Sequence, residues 1–150
     1  MKIERKLQDY IDRFGLDRVL AALEGLESQA STEAESMTII SNKGVHHFPD
    51  FLRRGHVYVA SEGNMDFSSI QIVREQYEEI LSQLAKELKS RPWKRIYLVP
   101  FGHSTLSMQI KLLVYRVTRL ETIDVFYDGH GNYNDLKLDL RNIIVHAPEP

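Results

Sequence analysis

Gly102-His103-Ser104-Thr105, followed by Ser107 and Lys111, puts a glycine, an imidazole, three hydroxyls and a cation within ten positions. Two chemistries suit that set. A glycine turn that opens a helix aims unpaired backbone N–H groups at one point. With hydroxyls and a lysine nearby, that point can hold an anion, phosphate above all. A hydroxyl beside an imidazole can instead act as a nucleophile with its base, which would make His103 and Ser104 the catalytic pair of a small hydrolase or phosphodiesterase. Against the nucleophile elbow G-x-S-x-G, the second glycine is replaced by Leu106, which would crowd the strained turn. Asp128 and His130 follow in the right order but only two residues apart, and no separate oxyanion loop is visible. Binding of a nucleotide-type anion is the leading reading, catalysis the alternative. A third reading makes the chain a non-catalytic interaction subunit.

Other chemistries are weaker. His46, His47, His103 and His130 form neither a helical i, i+4 pair nor His-Glu-x-x-His, so no metal is expected. With no cysteine, thiolate catalysis, disulfides and cysteine-ligated zinc are excluded. G-x-G-x-x-G is missing from every strand–helix turn, so no nicotinamide cofactor, and no cofactor of any kind, is expected. A net charge of −2 gives no pull toward duplex nucleic acid or a membrane surface. The charge is uneven, with eight basic residues against one acid between Lys86 and Arg119, a surround that could serve the anion. No apolar run approaches the roughly 18 residues that suggest a membrane span. The start, MKIERKLQDY, is charged where a secretory leader would be apolar, so a cytoplasmic location is expected.

These residues need elements to position them. Ile96, Tyr97, Leu98 and Val99 form a short charge-free run, the pattern of a strand buried on both faces. Pro100 ends it, and Ser104 or Thr105 can cap a helix running to about Arg119. A side chain at Gly102 is expected to fill the approach to the helix donors. Residues 56–60 predict another strand, 68–90 a long helix with apolar residues three and four apart, and 122–127 a third strand. Leu136, Leu138 and Leu140 alternate with charged residues, predicting an edge strand over 133–140, and 143–145 can add a short terminal strand. This order predicts an α/β, Rossmann-like three-layer fold with a mostly parallel sheet, because parallel neighbours need crossover helices. In such sheets the ligand crevice lies outside the carboxyl ends of the strands, where the turns 61–67, 100–105 and 128–132 meet.

The first 30 residues predict a small helical unit, broken near Gly15, with two apolar faces that must be buried against the main domain or another copy. Residues 31–54 read as linker and loop, holding a short strand at 37–41, and 55–150 as the α/β domain.

From His56 to Leu140 the order of elements resembles the C-terminal half of SAVED domains, relatives of the CRISPR-associated Rossmann-fold (CARF) sensors. The shared features are HVYVA, a long helix, YLVPFGHSTLSMQI with its strand, proline turn and helix start, IDVFYD, and the closing YNDLKLDL. The resemblance implies a sensor of cyclic oligonucleotide second messengers in antiviral defence that passes its signal to an effector. Carried over by position, it implicates Gly102, His103, Ser104 and Thr105, with Ser61, Glu62 and Asn64 from the preceding turn and Asp128 from the following one. A SAVED domain has two such halves and this chain one, which implies a homo-oligomer or a partner effector subunit. No nuclease, protease or TIR segment accompanies it. The resemblance thus leaves a stand-alone sensor, a subunit, or a ring-opening nuclease.

Overall fold

Runs of four or five residues, most of them rich in β-branched and aromatic side chains and closed by a polar turn, build the five-stranded sheet of this computed structural model, which describes residues 2–44 and 47–150, the side chains of 29–34 aside. In chain order the elements are α1 (Ile3–Phe14), α2 (Leu16–Ala34), β1 (Ser36–Ile40), a 3-10 turn (Asp50–Leu52), β2 (His56–Val59) and α3 (Ile70–Leu88). They are followed by β3 (Arg95–Val99), α4 (Ser104–Thr118), β4 (Ile123–Tyr127), β5 (Tyr133–Leu136) and α5 (Leu140–Val145). The chain divides into two compact units, Met1–Ala34 and Glu35–Pro150.

In the larger unit the strand order is β2-β1-β3-β4-β5, parallel except for the antiparallel β4–β5 pair. The fold is α/β and Rossmann-like. Right-handed crossovers put the outward step β1 to β2 and the return steps through α3 and α4 on opposite faces of the sheet. Two core clusters follow from that. On one face Met37, Ile39, Ile96 and Leu98 pack with Leu84 and Leu88 of α3 and Leu106, Ile110 and Val114 of α4. On the other, Ile40, Val99 and Val125 pack with Phe48 and Leu52, so a short segment with one 3-10 turn covers this face. Full burial of each such aliphatic chain stabilises the fold by roughly 1.5–3 kcal/mol.

Arg54 ties that covering segment down. Its guanidinium donates to both carboxylate oxygens of Asp135 on β5, at 2.6 and 2.8 Å, and lies 3.5 Å over the Tyr97 ring. Its backbone N–H donates to the Thr38 hydroxyl, which donates in turn to the Arg54 carbonyl.

Several sequence expectations change here. The stretch expected as linker from residue 31 is helical through Ala34, and Ser36–Ile40 is an inner strand of the sheet, fully buried and paired on both edges. The α/β unit therefore starts at Glu35 and not at 55. The short strand expected at 37–41 is thus present, one residue earlier, but five residues of local pattern could not show that β2 and β3 pair with both of its edges. The expected edge strand stops at Leu136, and the expected terminal strand is the helix α5, begun where the Asp139 carboxylate accepts from the Asn142 N–H. The small N-terminal unit is two helices, with Gly15 at φ +85° between them.

Candidate functional site

Strand order reverses between β1 and β3, whose outgoing connections run over opposite faces of the sheet, and a crevice opens at that switch point beyond the carboxyl ends of the strands. Its volume is about 790 Å³, and its walls come from three loops: Asn42, Lys43 and Gly44 after β1; Gly63, Asn64, Met65 and Phe67 after β2; and Phe101, Gly102 and His103 after β3. Helix α4 begins at its rim, with His103 as the residue before the first turn. The Ser104 and Thr105 amides have no helical carbonyl to accept them, whereas that of Leu106 donates to the His103 carbonyl at 3.2 Å, and the positive end of the helix dipole lies there.

The loops are fastened to each other. Lys43 N–H donates to the Ser61 carbonyl at 2.8 Å, Ser61 Oγ to the Ser41 carbonyl at 2.6 Å, and Asn42 Nδ2 to the Gly63 carbonyl at 3.0 Å. Gly102 has φ +83°, and a Cβ built on it would stand 2.6 Å from Asn42 Cβ. The glycine is needed for that approach as well as for its backbone angle. A side chain at Gly102 would therefore push apart the β1 and β3 loops, a consequence that the sequence did not show.

The hydroxyls divide by role. Thr105 Oγ1 lies 2.7 Å from His103 Nδ1 and 2.7 Å from the Tyr77 hydroxyl of α3. Ser107 is buried and donates to the Ser41 hydroxyl at 2.9 Å, because the single Ser41 proton is shared between the Val99 and Phe101 carbonyls, at 3.0 and 2.7 Å. Neither Ser104 nor Thr105 caps α4. Ser104 is exposed in the first turn, and the imidazole beside it pairs with Thr105.

The sequence-derived site residues therefore separate into groups. Asn64, Gly102 and His103 line the crevice, and Ser104 and Thr105 stand at its rim. Ser61 and Glu62 line a neighbouring cavity of about 370 Å³, which Asn64 also reaches. Lys111 is two turns into α4, and its ammonium donates to Asp124 at 2.8 Å and Thr122 at 2.7 Å, so it braces α4 against β4. Asp128 holds the β4–β5 turn, accepting from the Asn132 side chain and from the His130 and Asn132 amides, and these donors keep its carboxyl below the usual range. The supporting cations expected around the turn lie elsewhere. Lys86, Lys89, Arg116 and Arg119 are at the far ends of α3 and α4, toward the amino end of the sheet.

Sequence reading missed Asn42, Lys43 and Phe67. The signal for the first two was the turn Asn42-Lys43-Gly44, recognisable as a crevice loop only once SMTII is a sheet strand. Of the histidines weighed as metal ligands, His46 lies outside the described residues. Among the described residues no group of three or more histidine, aspartate or glutamate side chains is close enough to hold a metal, and no helix is long and apolar enough to cross a membrane. No protein-family model, curated protein or solved structure matches this chain.

Proposed function

We propose that the chain binds a nucleotide-type anion in the crevice between the loops after β1, β2 and β3, with the first-turn amides of α4 and the Lys43 ammonium meeting the negative charge. The observation that carries this is the mutual fastening of those loops at the switch point around an open volume of about 790 Å³, at whose rim α4 begins. That volume lies within the 300–1,000 Å³ range of small-molecule sites. The resemblance to SAVED and CARF sensors supports a cyclic oligonucleotide second messenger as the ligand, and signalling in cytoplasmic antiviral defence as its purpose. Titration with inorganic phosphate, dinucleotides and cyclic oligoadenylates, followed by amide chemical shifts, tests it. Shifts should centre on residues 102–105, and Lys43→Ala should weaken binding several-fold more at low salt than at high salt. Saturating ligand that leaves those amides unmoved overturns the reading.

The alternative, a phosphodiesterase or hydrolase, draws support from the 2.7 Å contact of His103 with Thr105. It makes Thr105, in place of Ser104, the hydroxyl the imidazole can activate. Turnover abolished by Thr105→Ala and untouched by Ser104→Ala would select it.

A second copy of the chain is the partner that fits the N-terminal unit. Ile3, Leu7, Tyr10, Phe14, Leu23 and Leu26 line a groove of about 460 Å³ along the two helices, and α1 buries no residue. Two helices in 34 residues cannot enclose a core, since chains below about 40 residues rarely fold alone. Pairing by a two-fold would close a four-helix bundle. Ile3, Phe14 and Leu26 are each more than half exposed, the apolar surface such a pairing would cover. Sedimentation at tens of micromolar should show a dimer, and a helical monomer overturns it.

A further inference from the structure

We infer that Phe67 and His103 form a platform on which a planar base stacks, so that the crevice takes a nucleotide in preference to a bare phosphate or a sugar phosphate; this rests on the anion-binding reading above. Phe67 sits between β2 and α3 with 51% of its surface exposed, its ring centroid 5.0 Å from that of His103. Single exposed apolar rings are common at protein surfaces; this one lines the crevice, and its backbone is held in place. Asp66 N–H donates to Gln76 Oε1 at 3.0 Å, Gln76 Nε2 returns a bond to the Asp66 carbonyl at 2.6 Å, and the Ser68 N–H donates to the Asp66 carboxylate at 2.8 Å.

Helix packing does not use the ring. A hydrophobic staple uses the residue just before the N-cap. With Ser69 as the cap of α3, that residue is Ser68, and Phe67 turns to His103 instead. The imidazole is oriented in its turn by Thr105 and Tyr77. The two rings meet at 35°, so the pair bridges the loops after β2 and β3, with the half-exposed Phe67 ring as the face a base can use and His103 as its support. Met65 and Phe101 add apolar wall to the crevice, and the Asn64 carboxamide stands among its lining groups. An inorganic anion has no use for apolar walls, whereas a heterocycle gains from stacking on them and an amide can read its edge. His103 immediately precedes the first turn of α4, so one nucleotide can set its base on the pair and its phosphate at the helix start.

The test compares adenosine 5′-monophosphate, ribose 5-phosphate and inorganic phosphate on the full chain by calorimetry. The monophosphate should bind at least tenfold more tightly than ribose 5-phosphate. Phe67→Ala should erase that margin while leaving ribose 5-phosphate affinity unchanged, since base stacking on an aromatic is worth roughly 5–150-fold per base. Phe67→Trp should restore it, with an indole emission that the monophosphate quenches and ribose 5-phosphate does not. Equal affinities of wild type for the monophosphate and ribose 5-phosphate overturn the platform and leave the anion site standing. Loss of all three ligands in Phe67→Ala also overturns it, by making Phe67 a structural residue. A wild type that binds none of the three removes the platform and the anion site together.

Discussion

At the carboxyl end of the sheet the loops after β1, β2 and β3 are glycine-containing, lined by a single lysine and hydrogen-bonded to one another. At the amino end, Lys86, Lys89, Arg91, Lys94 and Arg95 cluster with Arg116 and Arg119 at the far ends of α3 and α4. Lys94 pairs with Glu35 there, and Arg91 lies over the Trp93 ring. The difference teaches that cations close in sequence to a helix start need not serve it. Helix α3 has 19 residues, so its two ends stand about 28 Å apart. That is several times the roughly 8–10 Å over which charge acts in physiological salt. An anion at the α4 start must be held by backbone donors, Lys43 and the loop framework.

The sharpest way to break this contrast is Gly102→Ala, which forces a positive φ on a residue with a Cβ and drives that Cβ against Asn42. A loss of about 2–4 kcal/mol in urea unfolding is expected, from strain and displacement together. Wild-type stability would show that the loops are not fastened as described.

Next is Lys111→Ala, which leaves the half-buried Asp124 carboxylate without its cation. It should cost about 1–2 kcal/mol of stability with phosphate affinity unchanged. Weakened binding in a fully stable variant would return Lys111 to the crevice.

A smaller effect comes from Asp135, whose carboxyl is pulled below its ordinary value chiefly by hydrogen bonding to Arg54. Because the folded value is the lower one, this contact stabilises fully above the unfolded value near pH 4 and is lost as pH falls through the folded one. Denaturation followed from pH 7 to 3 should show that Asp135→Asn costs about 1 kcal/mol at neutral pH and almost nothing at the acid end. A pH-independent cost would mean that shape, and not charge, holds the segment.

The smallest effect sharpens the comparison by its absence. Neutralising the amino end with Lys89→Ala and Arg116→Ala together should leave anion affinity within about twofold at physiological salt. A larger drop would make those cations part of the site.

Local pattern determined much of this molecule. The charge-free run 96–99 closed by Pro100, the three-and-four spacing along α3 and the glycine before α4 each specify an element through contacts among near neighbours. The Rossmann-like order followed, and with it the end of the sheet where a crevice belongs. Placement was decided by tertiary structure. SMTII became an inner strand because β2 and β3 pair with both of its edges, and it brought Asn42 and Lys43 to the crevice. Ser107 and Lys111, which lie in sequence beside the Gly102 turn, were drawn away by Ser41 and Asp124. Those partners are 66 and 13 positions distant, and hydrogen bonds over such separations exist only after the sheet has formed. Sequence spacing on a helix sets which face a side chain takes, but the groups waiting on that face belong to other strands.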